Sequence, residues 1–193
     1  MPRAHVLFAH PVPESLGAAA HAAALDGLRA GGWEVDDCDL YAERFDPVLT
    51  CEERRGYHDT ATNTAPVQGY VDRLRAADAL VLCFPVWNFG YPAILKGWFD
   101  RVMLPGVSFH LKDGRLSPAL RFGSVAAVTT YGATRRMAWL AGDPPRKLVH
   151  RLVGGPPWSK RTRYLAQYDM NNIDRAGCEA FLARVRREME RFR

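Results

Sequence analysis

No stretch of this chain is apolar for the ~20 residues that a bilayer-spanning helix needs, so membrane insertion is not expected. Cysteine is scarce and scattered. The four thiols, Cys38, Cys51, Cys83 and Cys178, have no paired spacing, which argues against a zinc site or a disulfide framework and predicts reduced side chains. No metal ligand set is expected. Neither a GxGxxG turn nor a GKS/T phosphate loop occurs, which removes the dinucleotide-binding Rossmann turn and the Walker loop. A Ser-His-Asp or Cys-His constellation is also missing, so chemistry by a protein nucleophile is not expected. Low-complexity tracts and internal repeats are absent. The N-terminal MPRAHVLFAHP holds an apolar stretch too short for a secretory signal and lacks a small-residue cleavage site, so a cytoplasmic protein is expected.

What is present has the composition of a globular protein: 193 residues, 48% hydrophobic and 24% charged. That is the size of one domain with a generous core, and no linker divides 1–193. Net charge is +5, with the excess in the last third. The terminal arginines interleave with Glu188 and Glu190 as on a solvated helix face, and no nucleic-acid-reading motif accompanies them. Nucleic acid is therefore not expected, and anionic cofactor phosphates are the better match to the charge.

Strand and helix patterns alternate from end to end. Apolar runs at 5–9, 79–84 and 122–129 read as strands, as do 34–40 after the Gly31-Gly32 break and 163–168, making five. Helical patterns occupy 16–30, stopped by Gly31-Gly32, then 67–77, a stretch opening with Pro92 at its first position, a short piece at 144–153, and 174–192. Thr50 to Glu53 reads as a capping box opening a short helix, and 111–116 as a hairpin turn. Five strands joined by helical crossovers predict an α/β, doubly wound parallel sheet with helices on both faces. Ligands of such sheets bind at the carboxyl ends of the strands.

Three strand ends carry unusual residues. The first loop, Ala9 to Gly17, places Ser15 as a helix cap, with the N–H groups of Leu16 and Gly17 in the first turn, a phosphate-binding arrangement to which His10 can add a donor. A plain cap beside a surface histidine reads the same residues. The second, Pro85-Val86-Trp87-Asn88-Phe89, precedes a helix with an apolar stripe (Ile94, Leu95, Trp98, Phe99, Val102) and suits the wall of a planar-ligand site; aromatics packed as core are the alternative. In the third, Thr129-Thr130-Tyr131-Gly132 offers hydroxyls, backbone donors and a ring face. Together the three supply phosphate, ring and ring-edge contacts in the order a flavin mononucleotide requires.

The segment Phe89-Gly90-Tyr91-Pro92-Ala93-Ile94-Leu95-Lys96-Gly97-Trp98-Phe99-Asp100-Arg101-Val102 resembles the signature of the flavodoxin-like NAD(P)H:quinone oxidoreductase family, the DT-diaphorase type, and the similarity runs along most of the chain. The Pro85–Phe89 loop is more similar to that of FMN-dependent azoreductases. The resemblance implies a flavodoxin-like fold and a flavin cofactor, FMN with FAD as the alternative. The implied reaction passes hydride from NADPH or NADH through the flavin to a quinone, azo or nitro acceptor. His10, Ser15, Leu16 and Gly17 match the family's phosphate loop, Pro85, Val86, Trp87, Asn88 and Phe89 its isoalloxazine loop, and Thr129, Thr130 and Gly132 its ring-edge loop. Phe109 falls where the family places an aromatic that reaches over the flavin of a partner subunit. A homodimer with a shared site is thus implied, its substrate pocket formed by Trp87, Phe89, Phe109 and Tyr131. No catalytic side chain is expected, since the flavin carries the hydride transfer.

The departures are specific. Tyr131 replaces the first of two family glycines, and Arg135, Arg136 and Met137 stand where the family has a tyrosine of a proposed charge relay. No histidine occurs between His110 and His150, so that relay does not carry over. The larger members' C-terminal extension is not found, which favours FMN. Arg135 and Arg136 are candidates for the nucleotide phosphates, with a lean toward NADPH, or simply charge on a surface turn. A flavodoxin-like electron carrier and a regulatory flavoprotein subunit of a transporter are the alternative functions.

Overall fold

The computed structural model describes residues 1–153 and 159–193. In chain order, β1 (Arg3–Phe8) leads into α1 (Leu16–Ala30) and β2 (Glu34–Asp39). Then come α2 (Cys51–Gly56), a 3₁₀ turn (Ala65–Val67), α3 (Gln68–Arg75), β3 (Ala79–Val86) and α4 (Ala93–Val102). A hairpin of β4 (Phe109–Lys112) and β5 (Arg115–Pro118) precedes β6 (Phe122–Tyr131). After it follow α5 (Arg135–Leu140), α6 (Pro144–Leu148), a π-helical turn (Val149–Val153), β7 (Ser159–Gln167), a 3₁₀ turn (Met170–Asn172) and α7 (Arg175–Glu190).

The five-stranded sheet has the order β2-β1-β3-β6-β7, and every neighbouring pair is parallel. β3 is buried at each of its positions, as its unbroken apolar run requires of a strand covered on both faces. Alternate residues feed two cores. Leu7, Leu80, Leu82 and Trp98 belong to one, and Val6, Val81, Leu28 and Phe181 to the other. The doubly wound α/β sheet expected from the sequence is the observed one, and no helix among the described residues is long and apolar enough to cross a bilayer.

Local signals account for the element ends. Ser15 accepts the Ala18 N–H at 3.1 Å, Asp174 caps α7, and Thr50 with Glu53 forms a reciprocal capping box. Gly32 (φ +81°) ends α1 in a Schellman arrangement, with the Trp33 N–H on the Leu28 carbonyl. Asp113 and Gly114 both have positive φ, as a two-residue hairpin turn demands.

Several expectations need correction. Pro92 is the cap of α4, with an extended ψ of 144°, and Ala93 is the first helical residue. β3 and β6 each run two residues further than expected, keeping Pro85 opposite Thr130 and Val86 opposite Tyr131. A proline is tolerated there because β1 stops pairing at Cys83, which leaves that side of β3 without a partner strand. Residues 135–140 form a helix the apolar pattern did not signal, capped by Thr134. The 144–153 piece divides into α6 and the π-helical turn, and β7 begins at Ser159.

Cys83 is wholly buried in the middle of β3, and burial pushes its thiol far above the ordinary range. Burial does the same to Cys38 on β2. Cys51 on α2 is exposed and Cys178 on α7 half-buried.

Close packing fixes α4 beneath the second loop. A Cβ at Gly97 would lie 2.2 Å from the Pro47 carbonyl oxygen, too near for any relaxed geometry. Gly97→Ala should therefore lower unfolding stability by about 1–3 kcal/mol. Gly69→Ala on α3, where an added Cβ meets nothing within 4 Å, should raise it by roughly 0.4–1 kcal/mol. Urea denaturation of the two variants checks both signs.

Candidate functional site

The chain must turn from β1 into α1, and Ser15 sets that turn (φ −75°, ψ 156°). Its side chain caps the third helical N–H. The N–H groups of Leu16 and Gly17 are left without a partner among the described residues. His10 folds back over this helix start. Its Nδ1 accepts the Val12 N–H at 3.0 Å and lies 3.2 Å from Ser15 Oγ. Nδ1 is then an acceptor, Ser15 donates to it, and the ring proton is assigned to Nε2. A Cβ at Gly17 would come within 3.2 Å of the His10 ring, so glycine lets the helix start close beneath the imidazole. Partial burial lowers the His10 pKa from 6.5.

The second loop is a tight turn from Trp87 to Gly90. Gly90 donates to the Trp87 carbonyl at 2.9 Å, and Trp87 donates back at 3.3 Å. The central residues, Asn88 (φ +50°) and Phe89 (φ +57°), are both left-handed, the signature of a type I′ turn. For phenylalanine this backbone is a genuine outlier that calls for a reason outside packing. Its effect is to present Trp87, 42% exposed, together with Asn88 and Phe89 beside the end of β3.

The third loop follows β6. Thr130, Tyr131 and Gly132 line a cleft, while Thr129 stays behind it with a buried Oγ1 that has no partner among the described residues. The Tyr131 phenol turns into the body of the protein, donating to Asp143 at 2.6 Å. Burial, followed by the neighbouring Tyr164 and Asp143, pushes that phenol well above its ordinary range.

The second and third loops face each other across a cleft of about 600 Å³, the size of a small-molecule site. Its remaining wall is Met170 and Asn171, which sequence reasoning missed. Their position just past β7, at the same edge of the sheet, is the signal that could have found them. The first loop joins through an edge-on contact of the His10 and Trp87 rings, 5.8 Å between centroids. Phe109 is elsewhere in the chain: with Tyr91, Phe99 and Met103 it lines a separate apolar cavity of about 240 Å³. Arg135 and Arg136 are exposed at the start of α5, just beyond the cleft residue Ala133.

These residues suit a flat ring carrying a phosphate tail. Unpartnered N–H groups at the positive end of a helix take the anion, the aromatic turn covers a ring, and the backbone past β6 meets its polar edge.

Comparison with known proteins agrees with the architecture. The profile of a family described as having a flavodoxin-like fold matches residues 2–152. The chain is 34% identical over 123 residues to the rat NAD(P)H dehydrogenase [quinone] 1, covering 55% of this chain and 45% of that protein. It is 32% identical over 111 residues to an FMN-dependent NADH:quinone oxidoreductase of Bradyrhizobium diazoefficiens, covering 52% of this chain and 53% of that one. The match thus spans about half the length of these relatives. A solved NAD(P)H:quinone oxidoreductase from Methanothermobacter marburgensis superposes with a TM-score of 0.85 at 26% identity, covering 98% of both chains.

His10 should titrate below its ordinary value of 6.5, read by NMR of the imidazole protons. A depressed base favours the neutral folded form, so its contribution to stability is present above about 6.5 and is lost as pH falls through the folded value. A midpoint at or above 6.5 would contradict the packing of His10 over the helix start.

Proposed function

The chain belongs to the flavodoxin-like fold family, and from that premise we propose that it is a flavin-dependent NAD(P)H oxidoreductase acting on quinone, azo or nitro acceptors. The observation that carries this reading is the convergence at one sheet edge of two unpartnered helix N–H groups, a strained aromatic turn and the backbone after β6. The relatives, an NAD(P)H dehydrogenase [quinone] and an FMN-dependent NADH:quinone oxidoreductase, support it.

In this reading FMN is held rather than FAD. Leu16 and Gly17 donate to its phosphate, with Ser15 and His10 fixing the turn. Pro85, Val86, Trp87, Asn88 and Phe89 flank the ring, and Thr130, Tyr131 and Gly132 serve its polar edge with Thr129 behind them, Tyr131 through its backbone because its hydroxyl is engaged. When bound, the flavin supplies the acceptance and release of hydride. The protein's part is orientation and charge: donors aimed at an anionic ring edge in a partly dry cleft are worth ~2.7–4 kcal/mol each in other sites. Trp87 and Phe89 keep water from the ring face. Arg135 and Arg136, without ion-pair partners among the described residues, would attract the nucleotide phosphates, favouring NADPH. The four free thiols fit a reducing compartment, the cytoplasm.

We further infer a homodimer in which Phe109 of one protomer helps close the pocket of its partner. The half-buried Phe109 lines an apolar cavity with Tyr91, Phe99 and Met103, an arrangement that fits an interface better than a solvated loop.

Purified protein should take up FMN stoichiometrically, and Ser15→Asp should weaken binding at least tenfold by setting like charge beside the phosphate. Colourless protein that takes up neither FMN nor FAD on fluorescence titration would sink the reading.

In mixed dimers of a wild-type protomer with one carrying both Phe109→Ala and Ser15→Asp, the one intact flavin loop lacks its partner's Phe109, so activity should fall below that of wild-type/Ser15→Asp dimers. Equal activity would remove Phe109 from the site. Arg135→Ala/Arg136→Ala should raise KM for NADPH severalfold and leave the acceptor's KM in place, as steady-state kinetics would show.

A further inference from the structure

The segment from Tyr131 to Asp143 leaves the end of β6, forms α5 and returns, and side chains tie its two ends together. Tyr131 donates to one Asp143 oxygen at 2.6 Å, and Tyr168, just past β7, donates to the other at 3.1 Å. Because a carboxylate only accepts, the Tyr131 proton is committed to it, and Tyr164 on β7 must donate to the Tyr131 oxygen, 2.5 Å away. The Tyr131 and Tyr168 rings lie 4.4 Å apart. Asp143 itself is left-handed (φ 43°, ψ 59°), a conformation that persists in a non-glycine residue where its surroundings over-determine it.

The tie stands directly behind two walls of the cleft. Tyr131 is in the wall formed by Thr130 to Ala133. Tyr168 immediately precedes the segment bearing Met170 and Asn171, and the Asp169 N–H joins the walls by donating to the Ala133 carbonyl at 3.0 Å. Asn171 Nδ2 would be 3.3 Å from a Cβ placed on Gly132, so the walls already meet as closely as a glycine permits. The family signature does not foresee this brace, since Tyr131 occupies a position where the family has glycine.

We propose that Asp143 is a positioning residue of this site. By gathering the Tyr131 and Tyr168 hydroxyls it locks the wall at Thr130–Ala133 to the wall at Met170–Asn171, and so sets how strongly the site prefers reduced over oxidised flavin. The proposal rests on the flavin-binding reading. Its physical basis is preorganisation: backbone donors stabilise an anionic ring edge only when they are held in place before the charge arrives.

The test uses Asp143→Ala, Tyr131→Phe and the double variant. Each single change should weaken oxidised FMN about threefold and reduced FMN about thirtyfold. The tenfold difference lowers the two-electron midpoint potential by about 30 mV. The double variant should be no worse than the poorer single one, because both remove one interaction. Exchange of the Asp169 amide, followed by NMR without flavin, should quicken about tenfold in all three. An unchanged potential, additive losses or unchanged exchange would each overturn the proposal. Tyr131→Phe keeps the ring in its core and carries the test if Asp143→Ala does not fold. Failure of the wild-type protein to take up FMN would count against the oxidoreductase reading, whereas the Asp169 amide reports on the tie in either case.

Discussion

The placement of β3 between β1 and β6 is the constraint on which the site depends. Parallel strands deliver their carboxyl ends to one edge, but register decides how far each projects. β1 stops pairing with β3 at Cys83, whereas β6 stays with β3 to the pair of Val86 and Tyr131. Two strands thus overhang the third. The helix start at Ser15 to Gly17 sits beside the step, and His10 reaches across it to Trp87. A different register for β6 would move Thr130 and Gly132 away from Trp87 and Asn88, and the cleft would open on one side. The hydrogen-bond ladder that stabilises the sheet is therefore also what spaces the walls.

The edge is then finished by local conflicts with good folding. Two consecutive non-glycine residues in left-handed backbone, Asn88 and Phe89, cost of order 1–3 kcal/mol each. Asp143 adds another such position. Such departures from otherwise consistent propensity, capping and burial concentrate around the cleft, where a sequence shaped by stability alone would have chosen glycine. The scaffold is well placed to tolerate them: β3 is fully buried, α4 is wedged through Gly97 against Pro47, and Arg101 binds Glu53 at 2.6 Å.

Much of the scaffold could be read from residues because its signals are local. Apolar runs marked the three inner strands, Ser15, Thr50 and Asp174 marked helix starts, Gly31-Gly32 a helix end, and Asp113-Gly114 a hairpin. The order of the three loops along the chain pointed to the sheet edge at which the cleft lies. What escaped depends on distance in sequence. Pro85 looked like the end of a strand because its tolerance depends on where β1 stops. The helix at 135–140 escaped because most of it is exposed and it shows no apolar stripe. Met170 and Asn171 carry no motif and are placed only by β7. The Tyr131 ring reads as a ligand face in the sequence because its hydroxyl partners, Asp143 and Tyr164, are 12 and 33 residues away.

The distribution of the four thiols has a chemical consequence. Only a thiolate attacks electrophiles at a useful rate, and burial keeps Cys83 and Cys38 protonated far above physiological pH. Cys83 nevertheless lies in the strand that ends at the cleft, the Ala9 N–H bonding to its carbonyl. On the proposed function, quinone-derived electrophiles would arise at the cleft. The thiol in that strand is shielded, whereas Cys51, exposed on α2 and outside the sheet, is the open target, so an adduct there would leave the strand ends in place.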